Sequence, residues 1–208
     1  MTLDLPGHGV SSSLWASLEE TADLVARALD GAPVALGGYS FGARVALHVA
    51  LRHPECVSRL VLVGASRGIE DPHERAARRQ RDNELATRIE MIGGAAFLDE
   101  WLAQAMFASL PEDPAERLAR STDGRGLAES LRRAGTGTQE WLDPRLSSIE
   151  APTLALAGAN DEKFTIEARA IARGVPHGHV TTIPGAGHAA HLEAPADTAQ
   201  AISSFLDP

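Results

Sequence analysis

The chain has 208 residues, a net charge of -9 and 44% hydrophobic residues, which suits one globular domain with room for an insertion. The acidic balance argues against a nucleic-acid partner, and no apolar run approaches the ~20 residues that span a bilayer. The opening MTLDLPGHG lacks the basic and long apolar stretches of a secretion signal, and the single cysteine, Cys56, has no partner for an internal disulfide. A cytoplasmic location is therefore expected, with Cys56 serving only in packing; the oligomeric state is left open.

Residues 2–5 read as a short apolar strand that ends at Pro6-Gly7-His8-Gly9. Residues 18–29 show the helical spacing of Leu, Val and Ala, with Asp30-Gly31 as the stop. An apolar strand over 34–38 precedes a helix over 41–51, which Pro54 closes, and a buried-type strand over 59–63 follows. Residues 66–149 are rich in Arg, Glu and Ala, carry Trp101, Phe107 and Trp141, and lack strand signals. They read as a helical cap inserted between two strands, because a structureless excursion of that length is rare. Strands over 153–157 and 179–183 and a helix over 196–205 complete the chain. Alternating helices and unbroken apolar strands imply an α/β fold with a mostly parallel sheet covered on both faces. Its core would comprise residues 1–65 and 150–208, and its cap residues 66–149.

Gly38-Tyr39-Ser40-Phe41-Gly42 fits G-x-S-x-G and lies between an expected strand and an expected helix, the context that pattern needs. A sharp strand-to-helix turn would lift the Ser40 hydroxyl above the sheet. It would also aim the Phe41 N–H, at a helix start, toward any oxyanion forming there. A serine hydroxyl needs a base. Among the eight histidines, His188 alone follows a strand in a fitting loop, Pro184-Gly185-Ala186-Gly187-His188. Asp161, just past the strand over 153–157, is the candidate to orient it. Each of the three lies beyond the C-terminal end of a different strand, where parallel sheets bind ligands. Their chain order Ser, Asp, His is that of α/β-hydrolases.

His191 is expected to be structural or a pocket wall, and His48 to be packed within its helix. His53 sits at a helix end, and His73, His177 and His179 carry no spacing signal. No metal-ligand spacing, P-loop or dinucleotide motif is present in the sequence, so no cofactor and no metal are expected. Lys163 is the only lysine among 19 basic residues; arginines 67, 75, 78, 79, 81 and 88 cluster in an otherwise acidic chain. Genome composition is the plainer reading of that bias. The cluster also suits a small anionic ligand, since Arg pairs with carboxylates through a planar fork.

Asp4-Leu5-Pro6-Gly7-His8-Gly9, the serine turn and Gly185-Ala186-Gly187-His188 together resemble the α/β-hydrolase superfamily. Gly38 through Leu47, Glu74 through Asp82, Phe107-Ala108-Ser109-Leu110, Gly126 through Arg132, Gly135 through Gln139 and Asp161-Glu162-Lys163-Phe164 resemble 2-succinyl-6-hydroxy-2,4-cyclohexadiene-1-carboxylate synthase of menaquinone biosynthesis. The resemblance implies a lyase in which the triad serine removes a ring proton from 2-succinyl-5-enolpyruvyl-6-hydroxy-3-cyclohexene-1-carboxylate and pyruvate is lost. It also implies substrate binding by Arg44, Arg78 and Arg120, with Trp101 and Tyr39 at the pocket. Arg44 stands out independently, because a cation in the first turn of a helix opposes the helix dipole. Glu162 and Lys163 are read as ordinary loop residues.

The family's fold begins with three strands ahead of D-L-P-G-H-G, and the third carries an H-G loop that completes the oxyanion hole. The chain starts inside the fourth. It is thus expected to be N-terminally truncated, with only the Phe41 half of the hole and a gap beside the strand over 34–38. Residues 2–5 would then slide into that gap or fray. A general carboxylesterase and an inactive fragment are the alternative readings.

Overall fold

A computed structural model describes residues 1–29 and 31–207; Asp30, expected at a helix stop, and Pro208 lie outside the described residues. Four strands, β1 (Val34–Tyr39), β2 (Val57–Val63), β3 (Thr153–Gly158) and β4 (Gly178–Ile183), form one sheet in the order β1-β2-β3-β4. Every pairing is parallel, with Gly38 opposite Leu62, Leu62 opposite Ala155 and Ala155 opposite Val180. The helices are α1 (Leu18–Ala28), α2 (Phe41–Arg52), α3 (Pro72–Ile92), α4 (Gly94–Leu102), α5 (Pro114–Ala119), α6 (Gly124–Ala134), α7 (Glu162–Gly174), α8 (Ala190–Glu193) and α9 (Pro195–Leu206).

The chain divides into two compact units. One comprises Ala22–Arg67, Met106–Pro111 and Leu142–Pro208 and contains the whole sheet. Its central strands are buried on both faces, as their apolar runs demand. Val61, Val63, Leu154 and Leu156 pack under α8 and α9 with Ile183, Ala190, Ile202 and Phe205. Leu60 and Leu62, of opposite parity on β2, are equally buried, and α2 packs on β1 and β2 while α7 packs on β3 and β4. Among the described residues β1 pairs on one side only. An apolar groove beside it is lined by Ala35, Leu36, Val61, Val63, Ile202 and Leu206.

The other unit comprises Met1–Thr21, Gly68–Ala105 and Glu112–Trp141. It is helical, with a small core of Ala86, Ile89 and Ala128 flanked by Phe97, Leu127 and Leu131. Three of its helices start on an aspartate, because Asp71, Asp113 and Asp123 each accept N–H bonds from the two residues at the second and third helical positions.

Residues 2–5 are not a strand, which corrects the expectation from sequence. Their sequence folds back locally instead. The Asp4 carboxylate accepts the Val10 N–H at 3.0 Å, and turn bonds join His8 to Leu5 and Gly7 to Ser11. With Pro6 and Gly7 at the bend, that closed turn replaces the ladder an extended segment would need.

Candidate active site

Ser40 sits between β1 and α2 with φ 49° and ψ -106°, the only non-glycine residue with positive φ among those described. L-residues are strained there. The strain is held by a 2.8 Å bond from Ser40 N to the Val63 carbonyl and a 3.1 Å helical bond from Arg44 N to the Ser40 carbonyl. The two flanking glycines are not equivalent. A Cβ on Gly38 would lie 2.2 Å from the Gly42 carbonyl oxygen, whereas a Cβ on Gly42 would meet nothing within 4 Å. Gly38 is thus the residue the tight turn requires.

The Ser40 hydroxyl lies 3.2 Å from His188 Nε2, and His188 Nδ1 lies 2.8 Å from Asp161 Oδ2. The three residues singled out in the sequence therefore form one hydrogen-bonded chain. Asp161 is also the N-cap of α7, and its other oxygen, Oδ1, accepts the Phe164 N–H at 3.2 Å. One carboxylate thereby starts a helix and aims an imidazole. His188 is 4% exposed. Its ring is enclosed by Phe164 at 4.4 Å, Tyr39 at 5.3 Å and Phe107 at 6.1 Å between centroids. Gly64, past the end of β2 with φ 61°, lets the ring in, since a Cβ there would stand 3.1 Å from His188 Cε1. Phe41 opens α2, so its N–H faces out of the helix start beside Ser40.

Arg44, in the first turns of α2, is half-buried, and its guanidinium lies 5.3 Å from the centre of the Phe41 ring. Arg78, Trp101 and Arg120 belong to the helical unit. Arg78 donates Nε to Asp82 at 2.7 Å, Arg120 pairs with Glu116 through both Nε and a terminal nitrogen, and Trp101 stacks obliquely on Phe97. His48 is buried in α2, His53 pairs with Asp23 at 2.7 Å, and the His191 ring lies 4.4 Å from Tyr39. Cys56 is half-buried. Glu162 and Lys163 form the first turn of α7 rather than a loop.

Gly64 and Glu193 lie beside the histidine loop without having been singled out, and Phe164 and Ser109, quoted only within motifs, had been given no role. Gly64 could have been suspected as a glycine ending an apolar strand. Ser109 lies far from the site in the chain and only the fold brings it there. No group of His, Cys, Asp or Glu among the described residues is arranged to hold a metal ion, and no helix is long and apolar enough to cross a membrane.

The sequence pattern of the alpha/beta hydrolase family matches residues 1–201. A 2-succinyl-6-hydroxy-2,4-cyclohexadiene-1-carboxylate synthase from Yersinia pseudotuberculosis (strain YPIII) is 33% identical over 218 residues, covering 99% of this chain and 77% of the relative. MenH from S. aureus superposes with a TM-score of 0.91 at 34% identity, covering 99% of this chain and 82% of that one. A thermophilic esterase from Thermogutta terrifontis gives 0.78 at 26% identity, over 98% and 77%. The chain belongs to the alpha/beta hydrolase family and, within it, to the group of 2-succinyl-6-hydroxy-2,4-cyclohexadiene-1-carboxylate synthases.

Proposed function

We propose that the protein is a carbon–oxygen lyase that eliminates pyruvate from 2-succinyl-5-enolpyruvyl-6-hydroxy-3-cyclohexene-1-carboxylate, with Ser40, His188 and Asp161 as its catalytic triad. The observation that carries this reading is the unbroken bond chain from Ser40 through His188 to Asp161, in a chain whose relatives carry the synthase name. His188 holds the Ser40 proton, Asp161 fixes the imidazole tautomer, and Ser40 Oγ takes the ring proton. The electron pair left on the ring forms the new ring double bond as the bond between ring carbon and enolpyruvyl oxygen breaks; pyruvate leaves as its enolate, which takes up one proton, balancing the one removed from the ring, to become pyruvate. The Phe41 N–H stabilises developing negative charge. The substrate is a small polycarboxylate. Arg44, Arg78 and Arg120 are its proposed partners, with Trp101 and Tyr39 lining the pocket. Arg120 must then exchange or share its pairing with Glu116. A cytoplasmic setting goes with this reading, and no cofactor enters it.

Pyruvate release, followed by coupling to lactate dehydrogenase, tests the proposal. Ser40→Ala should lower kcat at least about 10⁴-fold, as loss of a triad nucleophile does elsewhere, with an unchanged Tm. A carboxylesterase is the second reading, favoured by the likeness to the Thermogutta esterase. Fast hydrolysis of p-nitrophenyl acetate without pyruvate release, abolished by Ser40→Ala, would replace the lyase with it.

A further inference from the structure

His188 stands at the end of a loop that is soft by composition. Gly185 and Gly187 precede it, Gly185 with φ 74°, and glycines leave the backbone conformationally free. A base that must stay 3.2 Å from Ser40 Oγ needs that softness removed. One side of the loop is tied to the loop that carries Asp161: Asn160 N donates to the Ala186 carbonyl at 2.9 Å and Asn160 Nδ2 to the Gly185 carbonyl at 2.9 Å. Those bonds hold only the residues before Gly187.

The residues touching His188 directly are held by a different group. Glu193, at the end of α8, turns its carboxylate back over the loop. Its Oε2 accepts the Gly187 N–H at 2.7 Å and its Oε1 accepts the Ala189 N–H at 2.9 Å. The N–H groups of the residues on either side of His188 therefore converge on one carboxylate. The Ser109 hydroxyl donates to the same Oε2. A Cβ on Gly187 would lie 2.9 Å from Ser109 Oγ and 3.0 Å from Glu193 Oε2, so a side chain at 187 would push against the bracket. Bonds to an ionised acceptor are shorter and stronger than neutral ones, and two of them, at Gly187 N and Ala189 N, limit how far the backbone of Gly187 and His188 between them can rotate.

We infer that Glu193 is a positioning residue for His188: its carboxylate holds the N–H groups of both neighbouring residues, Gly187 and Ala189, and so sets the reach of the imidazole toward Ser40. The inference rests on the triad reading given above but not on the identity of the substrate. Gln at 193 has one acceptor oxygen and an amide that cannot accept, so one flanking N–H loses its partner. Displacing a reacting group by about 1 Å can cost on the order of 10²-fold in rate.

The test uses the 208-residue chain and a readout independent of the natural substrate: the rate at which a fluorophosphonate labels Ser40, followed by intact-protein mass spectrometry. In that reaction Ser40 Oγ attacks phosphorus, fluoride leaves, and the hydroxyl proton passes to His188. Glu193→Gln is expected to label about 10- to 100-fold more slowly at a temperature well below its Tm. Pyruvate release is expected to show the same loss in kcat, with KM changed less than about twofold. Ser109→Ala, which leaves both peptide bonds to the carboxylate, should lose less. In the unsubstituted protein the Gly187 and Ala189 amides should exchange with solvent deuterium more slowly than free loop amides, a measurement that stands even where a variant fails to fold. The inference is overturned by wild-type labelling in folded Glu193→Gln, by a loss that merely tracks the unfolded fraction, or by unprotected Gly187 and Ala189 amides. It is also overturned if Ser40 of the unsubstituted chain labels no faster than in His188→Ala. Glu193-dependent labelling without pyruvate release would leave the inference standing and remove the lyase reading.

Discussion

Strand β3 buries all 6 of its residues, whereas α3, with 21, buries Asp82, Ala86 and Ile89. The sheet unit is held by close-packed aliphatic side chains and continuous parallel ladders. The helical unit has a much smaller apolar core and is laced with arginine–carboxylate pairs: Arg78 with Asp82, Arg88 with Glu100, Arg117 with Asp99, Arg120 with Glu116, and Arg132 with Glu90 and Glu129. The difference teaches how to read an arginine-rich stretch. An arginine cluster suggests an anionic ligand, yet two of its members, Arg78 and Arg88, pair with carboxylates of their own unit.

The contrast can be broken first in the sheet. Leu156→Ala, at a fully buried position of β3, should destabilise the protein by about 2–5 kcal/mol, measured by urea unfolding. A loss under about 1 kcal/mol would mean the sheet is packed no better than the helices. In the helical unit the largest effect should come from Asp82, a buried carboxylate that accepts both Arg78 Nε and the Gly137 N–H at 2.9 Å. Asp82→Ala should cost about 1–3 kcal/mol, because it leaves the Gly137 N–H without its acceptor. If Arg78 holds substrate, KM should rise as well.

Asp123 gives a smaller effect with a pH signature. It caps α6, and its carboxyl is held below the ordinary aspartate range, first by the Gly126 N–H and then by the Ser12 hydroxyl, against a burial effect that raises it. A folded pKa below the unfolded value means the cap stabilises fully above the unfolded value of about 3.9. That stability is lost as the pH falls through the lower folded value. Asp123→Ala should cost about 1 kcal/mol at pH 7, and the gap from the unsubstituted protein should narrow in acid. The smallest effect is expected at the exposed Arg88–Glu100 pair. Arg88→Gln should leave the Tm unmoved at physiological salt, since solvent screens such pairs; a clear drop would show that the helical unit depends on its surface charges.

Most of the site was legible in the sequence because its signals are local. A glycine before a serine between an apolar strand and an amphipathic helix, and a histidine and an aspartate just past other strands, are patterns of neighbours in the chain. The strand expected over 2–5 failed for the opposite reason. A short apolar run reads as a strand only if a partner edge is available, and Asp4 instead closes a turn with Val10. The flanking glycines look symmetric in the motif, yet only Gly38 is sterically demanded, a distinction that backbone coordinates alone provide.

By itself the sequence determined the α/β alternation and singled out Ser40, Asp161 and His188 as candidates, since periodicity and turn chemistry act over a few residues. Tertiary structure decided what holds those three in register: the Gly64 gap that admits the imidazole, the aromatic rings around it, and the Glu193 carboxylate that holds the N–H groups of Gly187 and Ala189. The first two depend on groups tens of residues apart in the chain, and the third, though only four to six residues away, depends on how α8 folds back over the loop, which no recognised sequence pattern encodes.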